Sequence, residues 1–365
     1  MVLDAQALAD ASPGREDGRL KDLQRRVAVF LPNWLGDVLM AFPSLSRFHH
    51  IFPETEIHIV CREAFWELLS WQGFAAQVHP IDGAGWRRFR RAANLSQLCL
   101  DAAIILPNSF RSGVEARLSQ AKRRVGYKGE GRSLLLTHSI KGKGDPSLHQ
   151  SERYAVLFRL AGMEGEVSFP QVAVPEDVAR GVREQFLGPD TRQTQGYMVV
   201  SPGAGFGKTK RWPAERFAET CRALLDGTVD RVVVVGTAAE DPLCRQVVSS
   251  LEESHPGGAI NAAGMTHVAD LACLLSGAVL CLANDSGPMH LAAGLGVPTV
   301  GIFLSTSPQV SRPLGERVAW VTSSVTCRPC FRSSCPTGTW ECLDSVEAGA
   351  VLEGVVEVLG KSQRR

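Results

Sequence analysis

The chain has 365 residues, of which 39 are Lys or Arg and 38 are Asp or Glu, and 44% of the residues are hydrophobic. This length suffices for two domains of ordinary size, each with its own core. The balanced charge excludes the global field that draws a protein to nucleic acid, so we expect no such partner. Residues 1–26 lack the apolar centre of a secretion signal, and no later apolar run is long enough to cross a bilayer. We therefore expect a cytoplasmic protein.

Strand-like and helix-like patterns alternate along the first half of the chain. Strands that alternate with helices form parallel sheets with helices on both faces. The first half therefore predicts a doubly wound α/β domain. The predicted elements are strand 27–31, helix 38–49, strand 57–60, helix 64–71, strand 77–80, helix 86–99, strand 102–106, helix 111–119 and helix 149–161.

A second alternating series follows a polar stretch that contains one short helical piece at 178–186. Its elements are strand 197–200, helix 214–225, strand 231–235, helix 241–251, a short strand near 260–261, helix 268–276, strand 279–282, helix 289–295, strand 299–303 and helix 345–359. Two Rossmann-like domains are therefore predicted. The expected boundaries are a polar tail at 1–26, a first domain at 27–171, a linker at 172–195, a second domain at 196–344 and a C-terminal helical segment at 345–365.

The loop after the first strand of the second domain carries glycines and clustered cations. Gly203 leaves room for a ligand beside the backbone, and Lys208, Lys210 and Arg211 bring positive charge to a helix N-terminus. An anion bound there would offset the unfavourable placement of cations against the helix dipole. A Walker A loop needs a glycine where Pro202 stands, which disfavours an ATPase. A phosphate site and a plain glycine-rich turn both stand as interpretations.

A second loop of this kind follows the predicted strand 279–282. Asp285 and Ser286 have the chemistry of helix N-caps, and Gly287 lets a ligand approach the backbone. His290 lies one turn into the helix, where it either contacts phosphate or packs in the core. Helix capping would explain Asp285 but not His290. This loop and the loop that carries Lys208, Lys210 and Arg211 together predict a nucleotide-diphosphate site.

A third loop at the same predicted sheet edge carries Glu240 and Asp241. Acids at this place in Rossmann domains accept hydrogen bonds from a ribose. Alternatively, both acids only favour the N-terminus of the helix that follows.

The first domain offers one carboxylate at its own sheet edge. Asp37 is the only acid between Asp22 and Glu54, and Asn33 and Trp34 precede it on the same loop. Asp37 is a candidate general base, or it is only the N-cap of the helix that follows.

Asn108, Ser109 and Arg111 lie on a comparable loop and supply hydrogen-bond donors suited to a sugar or a phosphate. Two basic runs, 87–91 beside Trp86 and 122–124, lie in the same domain. Such runs are either solvated helix faces or surfaces that attract an anionic acceptor or an anionic membrane.

Ten cysteines occur in the chain, and six of them are scattered through helix and strand patterns. In a reducing compartment we expect these six to be buried as small apolar residues. The remaining four, Cys327, Cys330, Cys335 and Cys342, form one CxxC pair and two wider gaps. Four thiolates of this kind bind structural zinc, whereas free thiols or labile disulfides are the alternative.

Five segments together resemble the lipopolysaccharide heptosyltransferases of glycosyltransferase family 9, most closely the type II enzymes. The resemblance extends over roughly residues 27–359. Lys208 departs from the family pattern, in which Gly-Pro-Ala commonly precedes the Lys-Arg-Trp-Pro run, and this leaves open which lysine holds the diphosphate. The five segments are 31–37, 107–111, 125–132, 202–213 and 284–290.

The resemblance implies a GT-B fold, in which two Rossmann-like, doubly wound parallel-sheet domains face each other across a cleft. The first domain is then expected to bind the acceptor and the second the donor, with the last helix returning toward the first domain. The implied reaction is inverting, needs no metal or cofactor, and moves heptose from ADP-L-glycero-β-D-manno-heptose to the lipid A–Kdo–heptose inner core. It is expected at the cytoplasmic face of the inner membrane, where the protein would be peripherally bound.

The resemblance also assigns roles to residues. Asp37 matches the family's general base and Lys210 its diphosphate-binding lysine. The remaining donor contacts are Gly203, Lys208, Arg211, Glu240 (in preference to Asp241), Asp285, Ser286, Gly287 and His290, and the expected acceptor contacts are Asn33, Trp34, Asn108, Ser109 and Arg111. Alternatives are a type I or III heptosyltransferase, a GT-B nucleotide-sugar epimerase and a non-catalytic anion-binding protein.

Overall fold

A computed structural model describes residues 25–83, 85–129, 131–141, 145–188 and 196–360. Nearly all of the predicted polar tail, part of the predicted linker and the last five residues lie outside these ranges. The chain divides into two compact units, Met1–Ser168 and Phe169–Arg365.

The first unit is built on a six-stranded sheet in which every pairing is parallel, in the order β3-β2-β1-β4-β5-β6. Its central strands are buried and rich in Val, Ile and Ala, as a sheet covered on both faces requires. The strands are β1 (Arg26–Phe30), β2 (Glu56–Cys61), β3 (Gln77–Pro80), β4 (Ala102–Ile105), β5 (Arg123–Tyr127) and β6 (His138–Ile140). The helices are α1 (Leu35–Ile51), α2 (Trp66–Ser70), α3 (Trp86–Asn94), α4 (Phe110–Leu118) and α5 (Gln150–Leu160).

The second unit repeats this topology with the order β12-β11-β10-β7-β8-β9, again with parallel pairings. Its strands are β7 (Tyr197–Ser201), β8 (Arg231–Val234), β9 (Ala259–Asn261), β10 (Leu280–Asn284), β11 (Thr299–Phe303) and β12 (Val318–Thr322). Its helices are α6 (Glu176–Leu187), α7 (Ala214–Leu225), α8 (Asp241–Glu252), α9 (Val268–Ser276), α10 (Gly287–Gly294), α11 (Pro308–Ser311), α12 (Glu341–Asp344) and α13 (Ala348–Gly360).

In each sheet the first strand lies beside the fourth, so β1 pairs with β4 and β7 pairs with β10. The strand order reverses direction between these two strands, and the loops that leave their carboxyl ends diverge to open a crevice. The four loops that begin the segments 33–37, 107–111, 202–213 and 284–290 follow β1, β4, β7 and β10 in turn. The topology therefore brings the candidate residues of each unit to one sheet edge, and the predicted α/β class with two doubly wound parallel sheets is confirmed.

Three strands have no counterpart among the predicted elements. β5 begins with two arginines and contains a glycine, β6 has three residues, and β12 is half-buried at a sheet edge. None of them shows the continuous apolar run that marks a central parallel strand, so only their pairing with neighbouring strands defines them.

The stretch predicted as a linker contains α6, which packs against α9 within the second unit. Arg183 Nη1 donates a hydrogen bond to Ser276 Oγ at 3.0 Å across this contact. The last helix, α13, packs on β11, β12 and α7 of the same unit. Its return toward the first domain stays a prediction.

Within the described ranges, every helix is too short or too polar to cross a bilayer. Of the six scattered cysteines, Cys61, Cys221, Cys244, Cys273 and Cys281 are buried, as predicted. Cys99 is exposed, so the prediction is wrong for this residue. It follows a short 3-10 turn and adopts a left-handed backbone with φ of 51°, which places it at a surface bend.

Candidate functional site

The two loops at the switch point of the second unit are tied together by Asn284. Its side chain is fully buried; Nδ2 donates to the carbonyl of Pro202 at 2.7 Å, and Oδ1 accepts from the backbone N–H of Trp212 at 3.1 Å. The Trp212 indole is also fully buried and donates to the carbonyl of Val346 at 2.9 Å. The Asn284 amide thereby fixes both ends of the loop 202–213, here called the cationic loop, to the end of β10.

Lys210 and Asp285 meet across these loops. Lys210 Nζ lies 2.7 Å from Asp285 Oδ2 and donates to the Asp285 carbonyl at 3.3 Å. The Lys210 side chain is 16% exposed and that of Asp285 is 4% exposed, so this is a largely buried ion pair. An ammonium has three donors, so Lys210 can hold Asp285 with two and a phosphate oxygen with the third.

The Asp285 carboxylate is surrounded by further donors. Thr306 Oγ1 donates to Oδ2 at 2.7 Å, and Ser311 Oγ donates to Oδ1 at 3.3 Å. Buried charge is tolerated where it is paired and hydrogen-bonded, and both conditions are met here. The geometry makes Asp285 the group that positions Lys210.

The other residues of the cationic loop differ in what they contact. Lys208 is exposed, whereas Thr209 is buried and donates to the carbonyl of Arg332 at 2.5 Å. In a Walker A loop the lysine and hydroxyl at these two positions would both turn to the nucleotide. Here the Thr209 hydroxyl turns into the protein. This geometry also argues against an ATPase.

Glu240 lies directly beneath the glycine of this loop. A Cβ added to Gly203 would overlap the Glu240 carboxylate, so no larger residue fits without a shift. Glu240 Oε2 accepts from the N–H and the hydroxyl of Thr237, each at 2.9 Å, while Oε1 lies 3.7 Å from Arg211 Nη2. Asp241 instead bonds to Asn261 and Arg245. Glu240 is thus the acid that adjoins the cationic loop, although one of its oxygens also serves a capping box.

Neither Asp285 nor Ser286 caps α10 through its side chain. Ser286 occupies the N-cap position, but its hydroxyl donates to the carbonyl of Asn284 at 3.1 Å. Gly287 is the first residue of the helix, and His290 is 5% exposed within it. The interpretation that these side chains cap the helix is therefore wrong for this loop.

In the first unit, Asp37 lies in the first turn of α1, whose N-cap is Trp34. The N-cap interpretation of Asp37 is therefore wrong, although a carboxylate in a first turn still suits the helix dipole. Burial, with the charge of Asp37 as a second cause, raises the pKa of Tyr154 well above its usual value. Asp37 is half-buried, and its helix packs against α5. Trp34 is 60% exposed, and Asn33 is exposed as well.

Three of the predicted acceptor residues line one groove at the carboxyl end of the first sheet. These are Asn33, Ser109 and Arg111. Arg62, Arg88 and Glu115 also line it, and Glu115 pairs with both Arg88 and Arg111. The Ser109 hydroxyl also caps α4 by accepting from the Ser112 N–H at 3.2 Å. Asn108 is held by Arg132 at 3.4 Å. The cleft itself holds only about 20 Å³, so these residues mark a polar surface at the sheet edge.

The fully buried Arg132 organises the 107–112 loop. Its guanidinium donates to the carbonyls of Tyr127, at 2.8 Å, and Pro107, and to Ser112 Oγ at 3.1 Å. A planar guanidinium with five donors suits several oxygens at fixed angles. Arg132 therefore holds the loop that carries Asn108 and Ser109.

The four clustered cysteines lie on a segment that packs against the cationic loop. The backbone N–H of Phe331 donates to the carbonyl of Ser305 at 3.0 Å, next to the Thr209 contact with Arg332. Burial raises the pKa of Cys342, and the three neighbouring thiols add to this effect. Hydrogen bonds, of which that from the Thr337 side chain contributes most, lower the pKa of Cys335 to about 7. All four are free thiols. No three His, Cys, Asp or Glu side chains of the described chain are arranged to hold a metal ion, so the geometry does not support the zinc interpretation.

Four residues that organise these sites have no role predicted from the sequence, although Asn284 and Arg132 lie in the segments 284–290 and 125–132. Asn284 is the polar last residue of an apolar strand, a signal that could have identified it. Thr306 and Ser311 follow β11 without any motif, and Arg132 stands among glycines and charged residues with nothing to mark it as buried.

The family model named "Glycosyltransferase family 9 (heptosyltransferase)" matches residues 86–341. Lipopolysaccharide heptosyltransferase 2 of Escherichia coli K12 is 28% identical over 305 residues, which cover 80% of this chain and 86% of that protein. Lipopolysaccharide heptosyltransferase 1 of Pseudomonas aeruginosa is 26% identical over 328 residues, with coverage of 85% and 87%. The solved structure of E. coli ADP-heptose LPS heptosyltransferase II matches with a TM-score of 0.80 at 25% identity, covering 93% of this chain and 99% of that one. The GT-B class predicted from the sequence is thereby confirmed. This chain belongs to glycosyltransferase family 9, the heptosyltransferase family, and is a glycosyltransferase.

Proposed function

We propose that this enzyme is an inverting heptosyltransferase of type II, which moves heptose from ADP-heptose to the heptose of the lipopolysaccharide inner core. The observation that carries the proposal is the Lys210–Asp285 pair, held by two loops at the switch point of the second sheet. This is where open α/β sheets bind phosphorylated ligands. The E. coli and P. aeruginosa relatives, whose names carry types 2 and 1, support heptose as the transferred sugar.

The proposed reaction is a single displacement. A hydroxyl of the acceptor heptose attacks the anomeric carbon of the donor, and the bond from that carbon to the β-phosphate oxygen breaks. Asp37 takes the hydroxyl proton, and ADP leaves with the electron pair of the broken bond. Attack opposite the leaving group inverts the anomeric centre.

Negative charge develops on the diphosphate as the bond breaks. In this proposal Lys210 and the N–H groups at the start of α10, near Ser286 and Gly287, stabilise that charge because they are aimed at the diphosphate beforehand. Arg211 and Lys208 add positive potential, and Glu240 accepts a hydrogen bond from the ribose. These groups take the part that a metal ion plays in other transferases, so we propose that no metal or cofactor is needed.

The acceptor is proposed to bind the first unit, at the groove lined by Asn33, Ser109 and Arg111. Trp34 and Asn108, which flank the same loops, would complete the contacts. Because this acceptor is a lipid-linked glycan of the inner membrane, the proposed enzyme works peripherally at the cytoplasmic face of that membrane.

Mass spectrometry of an acceptor incubated with ADP-heptose and the enzyme tests the proposal. Lipid A–Kdo carrying one heptose is expected to gain one heptose residue, and an undiminished rate in excess chelator is expected as well. Transfer only to an acceptor without heptose would make the enzyme a type I transferase. Conversion of the donor without any acceptor would instead support an epimerase, and binding without turnover a non-catalytic protein.

A further inference from the structure

Helix α3 presents two chemically different faces. At 100° per residue, Trp86, Arg87, Arg90, Arg91 and Asn94 fall on one side of the helix, and all five are exposed. The opposite side carries Arg88, Phe89, Ala92 and Ala93, which are half-buried or buried. The helix contains no acidic residue, so every charged side chain on its exposed face is an arginine.

The inward face fixes the helix to the unit. Arg88 Nε lies 2.5 Å from Glu115 Oε1 on α4, and Arg88 Nη1 donates to the carbonyl of Ile81 at 2.7 Å. Glu115 is 3% exposed, and Ala92 is fully buried. The helix is therefore held in one orientation, and its exposed face is a built feature of the fold.

The outward face combines an indole with unpaired charge. Trp86 is 77% exposed, which makes it the most exposed tryptophan of the described residues. Among those residues, no ion pair involves Arg87 or Arg90.

A merely solvated helix face explains the arginines but not the tryptophan. Water opposes the exposure of an indole, whereas a bilayer interface accommodates its apolar ring and its polar N–H together. Guanidinium groups beside it attract the phosphates of anionic lipids. Amphipathic helices with this composition lie in the plane of membrane interfaces.

We propose that the outward face of α3, formed by Trp86, Arg87 and Arg90, docks the enzyme on an anionic phospholipid bilayer. The inference rests on the proposed function only in its choice of a membrane-borne acceptor. The docked surface would keep the enzyme on the bilayer in which that acceptor is embedded.

Co-sedimentation of the full chain with vesicles, prepared with or without anionic phospholipid, tests the proposal. Wild-type protein is expected to bind the anionic vesicles and to leave them as salt is raised. The double variant Arg87→Gln with Arg90→Gln should bind about thirty-fold more weakly, since each arginine near such a surface contributes about 1 kcal/mol. Trp86→Ala should also weaken binding, but it should leave the salt dependence unchanged because no charge is removed.

The double variant Arg216→Gln with Arg245→Gln is the matched control. It also removes two positive charges, from exposed ion pairs on α7 and α8, and should bind vesicles like the wild type. The proposal is overturned if wild-type protein ignores anionic vesicles, or if both double variants lose binding equally.

A second measurement separates this inference from the proposed function. Heptose transfer to a delipidated core glycan should be the same in the Arg87→Gln, Arg90→Gln variant and in the wild type, whereas transfer to vesicle-borne acceptor should fall in the variant only. Equal rates on both acceptors would overturn the docking surface alone. Absence of transfer to either acceptor by the wild type, with vesicle binding intact, would overturn the proposed function alone.

Discussion

Lys210 Nζ lies 2.7 Å from the buried carboxylate of Asp285, while Lys208, two residues earlier, extends into solvent. The sequence leaves open which lysine holds the diphosphate. The geometry favours Lys210, because Asp285 fixes its position before any ligand binds.

Lys210→Ala is therefore expected to lower ADP affinity by about ten- to a hundred-fold, the range for loss of one hydrogen bond to a charged group. Lys208→Ala should lower it by less than ten-fold, since an exposed side chain contributes only screened charge. Isothermal titration with ADP measures both. Lys210→Met, which retains most of the side-chain volume, separates loss of charge from loss of packing. Unchanged ADP binding in both Lys210 variants would transfer the role to Lys208.

Asn284 joins the cationic loop to the loop after β10. Its replacement should therefore lower both the stability of the second unit and its affinity for ADP. Asn284→Ala leaves the Pro202 carbonyl and the Trp212 N–H without their partner, at a cost of about 1–3 kcal/mol for each buried group. We expect a lower urea midpoint and weaker ADP binding. Thr299→Val is the control because Thr299 is fully buried and its hydroxyl donates to the Val297 carbonyl at the amino end of β11, at the opposite edge of the sheet. It should lose stability while keeping its ADP affinity, and equal loss of affinity in both variants would show that the effect is not specific.

Arg132 has several acceptors that a single ammonium cannot reach at once. Arg132→Lys keeps the charge but loses the planar fork that holds the carbonyls of Pro107 and Tyr127. We expect reduced stability and a raised KM for the acceptor, with the KM for ADP-heptose unchanged. Steady-state kinetics with each substrate varied in turn separates these effects. A rise confined to the donor KM would contradict the role given to the 107–112 loop.

The first unit should lose stability in mild acid because of His79. His58 Nδ1 lies 3.1 Å from His79 Nε2, and burial, with His58 as a second cause, lowers the pKa of His79 from 6.5 to about 4. Between these pH values the unfolded chain binds more protons than the folded one, so the free energy of unfolding falls as the pH drops from 6.5 toward 4. Urea unfolding at pH 7 and pH 5 measures the fall. It should be smaller in His79→Gln, and an equal fall would assign the acid sensitivity to other groups.

Most helices and central strands could be predicted from their hydrophobic patterns. The strands β5, β6 and β12 could not, because they are defined only by their pairing with neighbouring strands. The predicted helix at 214–225 coincides with α7, because its apolar positions recur at helical spacing and Pro213 stands at its start. The strand β5 escaped prediction because its arginines and glycine carry no strand signal until β4 and β6 flank it.

The candidate site could likewise be predicted only in part from the sequence. Lys210 and Asp285 could be proposed from loop chemistry, but their contact depends on the adjacency of β7 and β10, which are separated by three helices and two strands. Thr306 joins them only because β11 lies next to β10. Local sequence thus indicates which loops carry chemistry, and sheet order determines which side chains meet.

We propose that the second unit binds the nucleotide while Asp37 of the first unit removes the acceptor proton. The transfer rate of Asp37→Asn, measured with ADP-heptose and acceptor both saturating, is the decisive measurement. The substitution keeps the shape of the side chain and removes its basicity, so the rate should fall by about a hundred- to ten-thousand-fold. A rate close to that of the wild type would show that Asp37 is not the base.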